Sequence, residues 1–245
     1  MSEAVLVFLL ALLTAVATGL GALPFLFARK PTRRWLGLSN AAAAGLMLAA
    51  SLGLAYEGAI RGPLGVLVGA GIGFVFIVLV RRLLSVEEHP AVFAGLGGLD
   101  ARKGLLIVGL MTAHSFTEGV GLGVSFGSGT DLGLFITLAI AVHNIPEGLA
   151  ISLVLVPRGV GWSRAALWGV FSSLPQPLMA VPAFVFVETF NPLLPYGLGF
   201  AAGAMIWMVF SELLPDALEE ASGNLVAVII TLSVLAMVAF QVLIR

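Results

Sequence analysis

The chain has 245 residues, of which 60% are hydrophobic and only 10% charged, with a formal net charge of −1 and a mean hydropathy of +1.10. A water-soluble domain of this size needs more polar surface than that composition supplies, so the sequence specifies a polytopic, all-α integral membrane protein. No basic patch is present for nucleic acid, and the absence of cysteine excludes disulfides, iron–sulfur clusters and thiolate metal sites.

At roughly 20 apolar residues per crossing, the length accommodates about eight transmembrane helices in a single domain over 1–245. The first apolar run, about 4–28, follows Glu3 with no Lys or Arg before it and is too long for a signal-peptide core, so it reads as a retained span. Further spans are expected at about 36–57, 63–81, 103–127, 132–156, 164–187, 194–215 and 223–243. Pro31, Gly62 with Pro63, Pro90, Pro157 with Gly159, Pro192 and Ser222-Gly223-Asn224 fall between them, where turn residues belong.

The twelve Lys and Arg residues orient the chain. Ten of them (Arg29, Lys30, Arg33, Arg34, Arg81, Arg82, Arg102, Lys103, Arg158 and Arg164) flank odd-numbered connections, against Arg61 and Arg245 on the other side. The odd connections are therefore expected in the cytoplasm and both termini outside it, in a cell membrane. In the long third connection, Glu87-Glu88-His89 reads as a solvated loop, since one histidine makes a poor chelator.

The chemistry concentrates in spans four and five. His-Ser-Phe-Thr-Glu-Gly occupies 114–119 and His-Asn-Ile-Pro-Glu-Gly occupies 143–148. In each, His and Glu are four residues apart, about 40° in azimuth and about 6 Å along a helix, on one face. His114, Glu118, His143 and Glu147 can therefore converge between two neighbouring helices. Of thirteen acidic residues, only Glu118, Glu147 and Glu212 fall well inside expected spans. An ionisable group at that depth costs on the order of 3 kcal/mol and calls for a partner. A His/carboxylate set without thiolate suits Zn²⁺, Fe²⁺, Mn²⁺, Co²⁺ or Cd²⁺; zinc is the default, and the ion's charge lets the carboxylates stay ionised. The competing reading from another class is an intramembrane metal-dependent hydrolase, which would need an open coordination position and a general base besides the ligands.

Other residues at this depth have plainer readings. Pro146 is expected to leave the Val142 carbonyl short of its donor, and Pro175 and Pro177 those of Phe171 and Ser173, with Gln176 bracketed between the two. Gly119, Gly123 and Gly127 form a small-residue stripe for close helix packing. Met47, Ser51, Met205, Met208 and Ser211 read as core rather than as the lining of a route.

The paired motifs resemble the fourth- and fifth-span signature of ZIP metal transporters, and the segment from Gly203-Ala204-Met205 to Ser211-Glu212-Leu213-Leu214-Pro215 is similar to that family's seventh span. The likeness covers essentially the whole chain. The stretches 114–126, 139–159 and 172–184 look most like a branch of bacterial and plant ZIP-like zinc transporters. The resemblance implies a ZIP-type eight-helix bundle and a transporter rather than an enzyme, with no cofactor beyond the metal it carries. It further implies that His114, Glu118, His143 and Glu147 are primary metal ligands, and that Ser115, Asn144, Gln176 and Glu212 line an adjacent second metal site or the route to it. It implies uptake toward the cytoplasm by alternating access, spans one, four, five and six sliding against two, three, seven and eight, in a protein that is often a homodimer. Ser115 replaces a common Asn and Gln176 a common carboxylate, and both changes weaken the second site. Thr117 replaces a common Pro, so the fourth helix is expected to be less broken than the fifth, and the usual His-rich loop is absent. Asp216, Glu219 and Glu220, at the cytoplasmic end of span seven, are expected to assist release.

Overall fold

The computed structural model describes residues 2–27, 33–86 and 99–244; Glu87-Glu88-His89 lies outside them. Apolar runs of Leu, Val and Ala, with few internal breaks, fold as helices because an isolated helix satisfies every backbone group within lipid. Seven helical stretches among the described residues are long and apolar enough to cross a membrane. An eighth long helix, the 30-residue Leu99–Ser128, carries the first His/Glu motif, and the chain is a multi-pass membrane protein with no strand among the described residues.

In chain order the helices are α1 (Glu3–Leu20), α2 (Pro24–Phe27), α3 (Arg33–Arg61), α4 (Pro63–Val86), α5 (Leu99–Ser128), α6 (Thr130–Leu155), α7 (Trp162–Ser172), α8 (Pro175–Thr189), α9 (Leu194–Met208), α10 (Leu214–Glu220) and α11 (Gly223–Ile244). Three expected spans are interrupted. The first stops at Leu20 and resumes at Pro24, whose missing N–H cannot extend the helix. The sixth divides into α7 and α8 at Ser173-Leu174, ahead of Pro175. The seventh passes through a π-helical turn, Val209–Leu213, in which the Leu214 N–H bonds to the Val209 carbonyl. Pro215 offers no N–H to the Ser211 carbonyl, which favours this local change of register.

The break in span six corrects the expected free carbonyls. The Phe171 carbonyl accepts the Leu174 N–H at 3.2 Å and the Ser173 carbonyl accepts the Gln176 N–H at 3.0 Å, so tight local turns take up the groups that the prolines would have orphaned. By contrast, α6 runs on through Pro146, and neither α5 nor α6 is interrupted.

The helices pack as two sets. One set comprises α1 against α6, α7 and α8, with α5 against α6 and α8; the other comprises α3 against α9, α10 and α11, with α4 on α9. Contacts of α3 with α6 and of α5 with α9 join the sets. One core, including Met47, Leu54, Leu122, Ile136, Leu198 and Met205, runs across both. Met208 is part of it, and Ser51 donates to the Met47 carbonyl at 2.6 Å, which bears out the core reading of these residues.

Glycines set the closest approaches. A Cβ on Gly123 would lie 2.1 Å from the Ala180 carbonyl oxygen, and one on Gly119 2.6 Å from that of Gln176, so the predicted stripe on α5 seats α8 backbone to backbone. An equivalent seam that the sequence reading passed over joins α4 to α9, where Gly69 and Gly73 face the carbonyls of Tyr196 and Phe200, and Gly199 and Gly203 those of Val66 and Ala70.

Candidate metal centre

The helical spacing puts His114 and Glu118 on one face of α5 and His143 and Glu147 on one face of α6, and packing of α5 against α6 turns those faces together. One ligating atom from each of the four residues lies within 4.8 Å of all the others, and all four side chains are buried. His114 Nε2 stands 2.9 Å from Glu147 Oε1 and 3.3 Å from Glu118 Oε1. His143 Nε2 contacts Glu118 Oε1 and lies 3.8 Å from Glu147 Oε1.

The tautomer of His143 follows from its other nitrogen. Nδ1 is 3.0 Å from the Ala139 carbonyl, which can only accept, so Nδ1 carries a proton and donates it. In a neutral imidazole Nε2 then offers a lone pair directly to a carboxylate oxygen. Two acceptors in contact in a water-poor interior require a positive charge between them, supplied by a second proton or by a cation. His114 Nδ1 is buried without a hydrogen-bond partner, and His114 Nε2 and Glu147 Oε1, although 2.9 Å apart, do not meet in hydrogen-bond geometry. These orphaned atoms fit a divalent cation, which would satisfy both imidazoles and both carboxylates at once.

The remaining predicted residues surround the cluster unequally. Gln176 and Asn144 join it through hydrogen bonds: the Gln176 amide donates to Glu118 Oε2 at 2.5 Å, and the Asn144 amide donates to Gln176 Oε1 at 3.1 Å. Ser115 is fully buried on α5, and its hydroxyl has no hydrogen-bond partner. Glu212, in the π-helical turn, is outside the cluster, and both of its carboxylate oxygens are buried without hydrogen bonds. Thr117 donates to the His114 carbonyl at 2.7 Å, tying down that turn of α5.

Sequence reasoning missed Thr14. From α1 its hydroxyl lies 2.7 Å from both the Ala11 carbonyl and Gln176 Oε1, which share its one proton, while its own carbonyl accepts from Asn144 at 2.8 Å. One turn on, the Thr18 and Ser173 hydroxyls are 2.8 Å apart. The signal available was a pair of threonines four residues apart in an otherwise Leu/Ala/Val run. A fourth buried acid was also missed: Glu57 lies within α3, which extends past the expected span end, and pairs with Arg61 at 2.8 Å.

A family model described as "ZIP Zinc transporter" matches residues 88–240, which include both motifs and Glu212. The chain belongs to the ZIP zinc transporter family. Among relatives, the Arabidopsis thaliana protein At3g08650 is 50% identical over 96% of this chain, although the chain spans only 38% of that protein. "Zinc transporter GufA" of Myxococcus xanthus is 34% identical over 84% of the chain and 86% of its own length. "Zinc transporter ZIPB" of Bordetella bronchiseptica is 35% identical over 82% of the chain and 69% of its own. Membership in the ZIP family sets aside the hydrolase reading, because it groups the chain with transporters and not with enzymes.

Proposed function

We propose that this ZIP protein carries divalent metal ions, zinc foremost, through the bilayer toward the cytoplasm, with His114, Glu118, His143 and Glu147 as the ligands at the transport site. The observation that carries the proposal is the convergence of two imidazoles and two carboxylates within 4.8 Å, fully enclosed by helices. A buried His₂Glu₂ set neutralises a divalent ion, so that a charge which lipid would exclude can reside at membrane depth. Fe²⁺, Mn²⁺, Cd²⁺ and Co²⁺ have the same donor chemistry and are expected to compete.

Alternating access suits the packing. The ligands belong to the set of α1, α5, α6, α7 and α8, whereas α3, α4, α9, α10 and α11 form the other, and a sliding of one set on the other would carry the site between faces. Glu212 belongs to the second set and offers unpaired oxygens along the route. Zinc flux into proteoliposomes tests the reading: saturable uptake is expected from the native chain and is lost in the His143→Ala, Glu147→Ala variant. Absence of flux from folded, reconstituted native protein would defeat it.

A further inference from the structure

We infer that Gln176, held in place by Thr14 of the first helix, sets the ion selectivity of the centre by withdrawing one oxygen of Glu118 from the metal. The inference rests on the proposed ligand set and concerns how many donors that set presents.

Gln176 is fully buried at the start of α8, and every polar atom of its amide is engaged. Its nitrogen donates to Glu118 Oε2 at 2.5 Å, and its oxygen accepts from the Asn144 amide at 3.1 Å and lies 2.7 Å from the Thr14 hydroxyl, which divides its one proton between that oxygen and the Ala11 carbonyl. Reversing the amide would set its oxygen against the Glu118 carboxylate and its nitrogen against the Asn144 nitrogen. The partners therefore fix its orientation. The bond to Glu118 is charge-assisted, the stronger class of hydrogen bond.

Glu118 consequently divides its two oxygens. Oε1 faces both histidines, and Oε2 is committed to Gln176. With Glu147 Oε1, one atom from each of the four residues converges as two nitrogens and two oxygens, a set that suits Zn²⁺ and Co²⁺ in tetrahedral geometry. Mn²⁺ favours six ligands, mostly oxygen, and is disfavoured while Oε2 is withheld. Releasing Gln176 would let Glu118 turn both oxygens to the ion. Thr14 and Gln176 are thus positioning residues: they act on the metal through Glu118.

The test uses the purified full-length chain and Co²⁺, whose visible absorption is intense when tetrahedral and weak when octahedral, with Mn²⁺ as competitor. The native chain is expected to give the intense spectrum. Thr14→Val and Gln176→Leu are expected to weaken the spectrum and shift the Co²⁺/Mn²⁺ affinity ratio about tenfold toward Mn²⁺, whereas Thr14→Ser, which keeps the hydroxyl, stays within about twofold of the native chain. An octahedral spectrum from the native chain overturns the inference even if neither variant folds. So does an unchanged ratio in either folded variant, or a Thr14→Ser shift as large as that of Thr14→Val. Flux plays no part in this readout, so a chain that binds Co²⁺ tetrahedrally yet transports nothing defeats the transport reading alone. A native chain that binds no Co²⁺ defeats the ligand set and this inference with it.

Discussion

Two of the glycine-lined seams in this protein do different work with the same device. In the α4–α9 seam, glycines on both helices meet the partner's carbonyls, and the result is close apolar packing. In the α5–α8 seam the glycines lie on α5 alone, and the first of them, Gly119, follows Glu118 directly. There the lack of a side chain admits the backbone of Gln176 and brings its amide onto the carboxylate. Close approach in one region buries surface, whereas in the other it also positions the Glu118 carboxylate.

The largest effect is expected from removing ligands: His143→Ala with Glu147→Ala should reduce zinc affinity by more than about 100-fold, the upper range for loss of an outer-sphere partner, as measured by equilibrium binding. Next, Gly73→Ala and Gly123→Ala should each destabilise the fold by about 1–3 kcal/mol through overpacking, seen as earlier unfolding in denaturant, because the new methyl would fall 2.0 and 2.1 Å from carbonyl oxygens. Gly73→Ala should nevertheless leave zinc affinity where it was, whereas Gly119→Ala should lower it by about tenfold, within the range for loss of an outer-sphere partner. If both variants alter affinity alike, the proposed division between a packing seam and a positioning seam fails. The smallest effect belongs to Arg61→Gln at the end of α3, where a partly exposed bridge to Glu57 is worth about 0.2–1 kcal/mol and lies outside both seams.

Much of the centre was legible in the sequence because its logic is local. His and Glu at a spacing of four share a helix face whatever the tertiary fold, and two such pairs in adjacent spans have few places to go. Composition and the period of apolar runs likewise gave away a membrane bundle, since lipid leaves the backbone little alternative to helix. The α5 stripe was visible as a spacing. Its counterpart across α4 and α9 was equally regular in sequence, but it becomes recognisable as a seam only when two distant helices are seen side by side.

What the tertiary structure alone decided is non-local. Residue spacing could not tell that Thr14 meets Gln176 across 162 positions, or that Gln176 reaches Glu118 across 58, because such contacts depend on how helices pack and not on their period. Nor could proline positions tell which helix would break: α6 continues through Pro146, whereas span six divides before Pro175, where local turns satisfy the Phe171 and Ser173 carbonyls. A proline removes one donor wherever it stands, and the neighbours that packing supplies decide whether the helix bends, slips register or stops. Residue order and spacing were enough for the membrane bundle and for the convergence of two His and two Glu side chains. The tertiary structure decided which oxygen of Glu118 faces them, because that depends on an amide carried in by another helix.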